Sequence, residues 1–160
     1  MTRTQLSTNF YLEEFAVSAT HPDLADPVPD HLRGNVEQLA QRVLQPIRDL
    51  IAAPITINSG YRSPALNRAI GGSPTSQHLA AAAADFTTVG LRSVFRALVI
   101  GVVRVPCGQC IFYPSRKFIH IALPSKRYPV PSWHIHEPSR GFDYRPITPL
   151  AELERALASL

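Results

Sequence analysis

The amino-acid sequence predicts an α+β fold, a small antiparallel sheet with helices packed on it. Three observations predict it. Apolar residues recur at steps of three and four across residues 30–52, a helical period. Short apolar or β-branched runs occur near 54–58, 82–87, 109–113 and 117–123. The chain has 160 residues, enough for one domain that buries roughly two-thirds of its unfolded surface without staples.

Taken in order, residues 8–18 read as a short helix around Leu12, Phe15 and Ala16, and a Pro-rich stretch follows at 21–29. The first long helix spans 30–52, with Leu32, Val36, Leu39, Val43, Ile47 and Leu50 on one face. Asp30 is its expected N-cap. Pro46, which has no N–H, is expected to kink or split it. Pro54-Ile55-Thr56-Ile57-Asn58 reads as a strand ended by Ser59-Gly60. A short helix over 63–70 stops at Gly71-Gly72. Residues 82–87 read as a strand running through Asp85, and 91–103 as a second long helix. Strands at 109–113 and 117–123 are joined by a tight Pro-Ser turn. Residues 149–160 read as a helix capped by Thr148, with Pro149 in its first turn.

Composition excludes several classes. No apolar run reaches the roughly 18–20 residues of a membrane span. The opening MTRTQLSTNFYLEEF carries acids where a signal peptide needs an apolar core, so no Sec-type export is expected. The net charge of +4 favours anionic polymers, but the basic residues are scattered rather than gathered in a stripe, so nucleic acid is not the expected partner. Cys107 and Cys110 form a lone C-G-Q-C. There is no second pair to complete a structural zinc site, and Cys110 opens a strand-like run rather than the helix of a thioredoxin-type motif. Both thiols are expected in or near the core.

The stretch that carries chemistry is Ser59-Gly60-Tyr61-Arg62-Ser63-Pro64, then Asn67, Gly71-Gly72-Ser73, Ser76-Gln77-His78, Ala83 and Asp85, with Phe118-Ile119-His120-Ile121 far downstream. His78, Asp85 and His120 form a set of two imidazoles and one carboxylate. Three protein ligands with an open fourth position are what a catalytic zinc needs. Spacing alone is a weak signal, because a chain with six histidines offers many such triples.

These motifs, in this order, resemble the M15 peptidases, the D-alanyl-D-alanine carboxypeptidase and L-alanyl-D-glutamate endopeptidase-like enzymes, and especially their short phage-type members. Those read S-G-Y-R-S-P, N, G-G, S-x-H-x-x-G-x-A-x-D and a later [WF]-[IV]-H strand. Leu6-Ser7-Thr8-Asn9-Phe10, Leu12-Glu13-Glu14-Phe15 and Asn35 through Pro46-Ile47-Arg48 also resemble the family, so the likeness covers about residues 5–123. It implies a hedgehog/DD-peptidase-like fold over residues 1–123, with 124–160 as an extension packed on the same domain. It implies Zn2+ held by His78, Asp85 and His120, and a peptidoglycan stem peptide as substrate. Arg62 matches the arginine that contacts substrate near the metal, and its planar fork suits a carboxylate or a carbonyl oxygen; a structural ion pair is the alternative. Ser76 and Gln77 stand beside the first ligand as substrate-contact candidates, while Tyr61 reads as packing.

The sequence departs from the family in two ways. The Gly three residues after the first His is Ala81; alanine tolerates most backbone conformations except φ > 0, and the change reads as harmless. The general base is the larger gap, since a carboxylate is needed to take and return a proton. Many members place it three residues before the last His, where this chain has Lys117. Others carry D-Q-L-I-x-E, matched here by Gly108-Gln109-Cys110-Ile111-Phe112-Tyr113. Glu137 and Asp143 are the candidate substitutes. Around them, Trp133-His134-Ile135-His136-Glu137 reads most simply as an extended tail with solvated histidines. As a strand it would put His134 and His136 on one face, where they could bind a metal.

Two readings follow. One is a zinc metallopeptidase, carboxypeptidase or endopeptidase, that cleaves the cell-wall stem peptide. The other is a catalytically weak or inactive structural or binding component of a phage virion, in contact with other virion proteins. In either case the protein is made in a bacterial host's cytoplasm and acts at the cell wall or within a particle, delivered by a holin or the virion.

Overall fold

The computed structural model describes residues 3–90, 97, 100, 104–113, 116–136 and 144–145. The expected helices over 91–103 and 149–160 fall largely or wholly outside these residues; Ala97 and Ile100 are helical and buried.

The fold is α+β. Its sheet has six strands: β1 (Ile55–Ser59), β2 (Ala83–Thr88), β3 (Gln109–Tyr113), β4 (Phe118–Ala122), β5 (Ser132–His136) and β6 (Tyr144–Arg145). Their order is β1-β2-β4-β3-β5-β6. Every pair is antiparallel except β3 with β5, which is parallel, so the sheet is not purely antiparallel as the sequence suggests. Residues 132–136 are a strand and not a solvated tail: β5 supplies partners to the side of β3 that β4 leaves open.

Side-chain alternation divides the sheet into two faces. Ala84 and Phe86 of β2, Cys110 of β3, and Ile119 and Ile121 of β4 are fully buried in the core, with Phe112 and Trp133 packed against it. Asp85, Gln109, Ile111, Tyr113, Phe118, His120, Ser132 and His134 alternate with them and line a cleft on the other face. Cys107 and Cys110 are buried thiols, as expected; burial pushes the Cys107 thiol up to about 12 and Cys110 well above the usual thiol range. Neither is a reactive thiolate.

The core face is covered by one long, uneven helix. A 3-10 turn (Asp30–Leu32) leads into α1 (Arg33–Leu39), a π-helical segment (Ala40–Leu44) and α2 (Gln45–Ile51). The disturbance expected at Pro46 therefore takes the form of a wide turn just before it, where the missing N–H and the ring would disrupt an ordinary α-turn. The extra residue shifts the downstream phase, and Ile51 is buried while Leu50 is 49% exposed. Asp30 is not a cap: its side chain pairs with Arg33 Nε at 3.1 Å, and no side-chain cap bond forms.

The expected helix at 8–18 shrinks to one 3-10 turn (Leu12–Phe15). Its flanks are held by longer-range bonds that compete with a helix. Leu12 N–H donates to Thr4 O at 2.8 Å, and Asn9 N–H donates to the Gln45 side chain at 2.9 Å. Gln45, buried, also accepts from Ser7 Oγ and donates to Asn9 Oδ1 and Asp49 Oδ1. Phe10, Leu12 and Phe15 pack into the core. α3 (Pro64–Ala69) starts as expected, with Ser63 accepting from the Leu66 N–H.

Candidate metal centre

Three elements bring the site together. His78 lies in a 3-10 turn (Gln77–Ala80) that precedes β2. Asp85 sits at the centre of β2, directly opposite His120 of β4. A register shift between Ile57 and Ser59 in β1 sets Ser59 opposite Asp85 from the other side. The turn is anchored from outside: Asn35 donates to Ala80 O at 2.9 Å and Gln77 Nε2 to Leu123 O at 2.8 Å.

His78 is buried, and its Nδ1 lies 2.7 Å from Gly60 O. A carbonyl only accepts, so Nδ1 carries the proton and Nε2 presents a lone pair. Nε2 lies 3.2 Å from Asp85 Oδ1 and 3.1 Å from His120 Nδ1, which is itself 2.8 Å from the same Oδ1. Burial lowers the His78 pKa and so favours the neutral ring, although Asp85 pulls the other way. Burial alone would raise the Asp85 carboxyl, but the His78 and His120 rings overcome it and hold it well below the usual carboxylate range.

With His78 neutral, its Nε2 and Asp85 Oδ1 are two acceptors facing one another. A single proton on His120 cannot satisfy both, whereas a cation at the centre would satisfy all three atoms. The triangle they make is close to one face of a tetrahedron, whose edge is about 3.3 Å for bonds of about 2.0 Å. His78, Asp85 and His120 are the group of potential ligands found among the described residues, and the donor set of two imidazoles and one carboxylate suits zinc.

Arg62 donates through Nη2 to Asp85 Oδ2 and through Nε to Ser59 Oγ at 2.9 Å. It thereby occupies the carboxylate oxygen that the histidines do not approach, and leaves Oδ1 for the centre. Arg62 also lines the cleft, as do Ser76 and Gln77.

A family profile described as Peptidase M15 matches residues 8–122, well over half of the chain. The chain belongs to the M15 peptidase family. No curated protein matches it. As an M15 peptidase it carries the two features that the sequence set apart, and the structure locates both.

Ala81, in the place of the family's glycine, has φ +52 and is 1% exposed. The expectation that alanine is harmless there assumed an ordinary φ. Instead the residue is left-handed, where its Cβ costs about 1–2 kcal/mol. The turn needs this conformation, since Ala81 N–H returns to His78 O at 3.0 Å and Ala82 N–H to Gln77 O at 3.0 Å before the chain enters β2.

The acid positions also resolve. Lys117 is exposed, sits in the β3–β4 turn at φ +54, and does not line the cleft. Gly108 has no room for an acid: a Cβ there would lie 2.6 Å from Leu123 O and 2.7 Å from Tyr128 O. Tyr113 does line the cleft, its ring stacked on Phe118 with centroids 4.5 Å apart. Glu137 and Asp143 lie outside the described residues. Among the described residues, Asp85 is the only carboxylate lining the cleft.

Two supporting groups escaped the sequence reading. Ser59 and Gly60 read as the end of a strand, yet one receives Arg62 and the other fixes the His78 tautomer. A Cβ on Gly60 would lie 2.3 Å from Phe15 O, so only glycine allows that approach. The S-G step immediately before Tyr61-Arg62 was the available signal.

Proposed function

We propose that this M15 peptidase is a zinc-dependent enzyme that hydrolyses a peptide bond in the stem peptide of peptidoglycan, with His78, Asp85 and His120 as the metal ligands. The observation that carries this reading is the triangle of His78 Nε2, Asp85 Oδ1 and His120 Nδ1, all within 3.2 Å of each other, on the floor of an open cleft. Zinc, when bound, supplies Lewis acidity to the scissile carbonyl and activates water. The protein's own groups do the rest. The Gly60 carbonyl and Arg62 orient the two buried ligands, and such partners commonly govern metal affinity. Arg62 lines the cleft, and the N–H groups that Ser59 and Asp85 do not use would hold a substrate oxygen. Ser76 lines the cleft beside His78 and would contact substrate. Gln77 would contribute mainly by holding the ligand turn to the end of β4.

One observation favours a second reading, a weak or inactive virion component: Asp85, a ligand, is the only acid lining the cleft among the described residues. Losing a general base costs about 10²–10⁴-fold in rate. Glu137 or Asp143 would restore the enzyme reading by supplying that acid. The test is to measure zinc content together with new amino groups released from purified peptidoglycan. Zinc with release supports the enzyme; zinc without release supports the virion component.

A further inference from the structure

Folding gathers positive charge that the sequence scatters. Among the described residues, Arg62, Arg116, Lys126 and Arg127 line the cleft, against one carboxylate, Asp85. Arg62 pairs with Asp85, so those two charges offset one another. Arg116, Lys126 and Arg127 remain as a positive rim, and among the described residues no carboxylate lies within ion-pair distance of any of them. A cleft lined by one sign of charge focuses its field and concentrates ligands of the opposite sign.

The rim flanks the proposed metal site along the strand direction. His120 is the middle residue of β4. Arg116 stands in the turn before that strand, and Lys126 and Arg127 stand in the loop after it. At about 3.3 Å per residue, each end of β4 is roughly 7 Å from His120, the span of about two residues of an extended peptide. The loop is braced to present its cations. Ser125 N–H donates to Tyr128 O at 3.0 Å and Tyr128 N–H donates to Ser125 O at 3.1 Å, which leaves Lys126 and Arg127 at the tip. Gly108 packs under the base, where a Cβ would lie 2.7 Å from Pro124 Cα and from Tyr128 O. The Arg127 guanidinium lies over the Tyr128 ring, 5.4 Å from its centroid. Lys117 adjoins Arg116 in the same turn but does not line the cleft, so placement and not net charge defines the rim.

We propose that Arg116, Lys126 and Arg127 make the cleft selective for acidic peptides: they bind free carboxylates on residues that flank the bond at the metal, and disfavour the same peptide with those groups amidated. The proposal rests on the peptidase reading for the site and adds the charge of what binds there.

The test uses zinc-loaded protein and two versions of a synthetic five-residue stem peptide with identical ends. One has its internal carboxyl groups free, and the other has them as carboxamides. Kd is read by calorimetry and kcat/KM by release of new amino groups. The proteins are wild type, Arg116→Gln, the double variant Lys126→Gln/Arg127→Gln, and Lys117→Gln, which makes the same charge change as Arg116→Gln outside the cleft. All four substituted residues are exposed, so fold and zinc content should be unchanged. We expect wild type to favour the free-carboxyl peptide by about 10-fold, in Kd and KM rather than kcat. Each rim cation removed should cost up to about 5-fold of that preference, the size of one solvent-exposed ion pair. Lys117→Gln should keep it. The preference should shrink in 1 M salt, where the screening length is about 3 Å. Equal binding of the two peptides by wild type, or binding of neither, overturns the proposal. So does a preference that survives both rim variants, which would place the carboxylate on the metal. Rim-dependent binding with no cleavage of either peptide would keep the charge selection and overturn the peptidase reading.

Discussion

His78 Nδ1 and the Gly60 carbonyl oxygen are 2.7 Å apart, and this bond decides which ring nitrogen faces Asp85 and His120. It exists because Gly60 lets two stretches of backbone touch, its Cα position leaving no room for a Cβ beside Phe15 O. Gly60→Ala should destabilise the fold by about 1–3 kcal/mol or more through overpacking, and should weaken metal binding in the protein that still folds. Gly34→Ala is the control: a Cβ there meets nothing within 4 Å, in the first turn of α1. It should stabilise by about 0.5–1 kcal/mol. Denaturant unfolding of both variants checks the pair.

Arg62 pairs with Asp85, a proposed metal ligand, as well as lining the cleft. Arg62→Lys keeps the charge but cannot hold Asp85 and Ser59 together with a planar fork. Zinc affinity should fall about 10–100-fold, as for other partners of metal ligands. Metal affinity equal to wild type, with activity lost, would assign Arg62 to substrate alone.

Ala81 and Ala52 share φ +52 in different surroundings. Ala52 ends α2 and is exposed, so Ala52→Gly should relieve strain and stabilise by about 0.5–1 kcal/mol. Ala81 is 1% exposed, so Ala81→Gly gives up a buried methyl worth about 0.8 kcal/mol. Its gain and loss should cancel to within about 1 kcal/mol. A large stabilisation by Ala81→Gly alone would mean that its methyl contributes little packing.

The positions of the absent acids make unequal predictions. Tyr113 lines the cleft and Lys117 does not. If hydrolysis is limited by the missing base, Tyr113→Glu should raise it from a low baseline by up to about 10²-fold. Lys117→Glu should leave it unchanged. The reverse ranking in a peptidoglycan cleavage assay would contradict the placement of these side chains.

Much of the fold was legible because its signals are local. The period of residues 30–52 predicts the helix seen over 33–51, and the runs near 54–58, 82–87, 109–113 and 117–123 predict the strands seen at 55–59, 83–88, 109–113 and 118–122. The π-helical segment and the burial of Ile51 were not legible, since a π-turn leaves the same apolar letters in place and changes only their phase. β5 was not legible because its partner, β3, lies more than twenty residues away and the strand has few apolar residues of its own. For the site, spacing alone could not select His78, Asp85 and His120; the ordered family motifs did. Ser59 and the Gly60 carbonyl stayed hidden because their roles depend on a bulge and on backbone proximity, neither of which is written in residue type.

The proposed metal site is one ion held by His78, Asp85 and His120. Its most direct test is zinc stoichiometry by elemental analysis after dialysis, for wild type and His120→Ala, with melting temperature followed with and without chelator. One zinc per wild-type chain is expected, with a melting temperature that falls on chelation, because a metal at 100 times its Kd adds about 2.7 kcal/mol to the folded state. His120→Ala should lose both the zinc and the chelator response. A wild-type protein that binds no zinc and melts identically with and without chelator would contradict it.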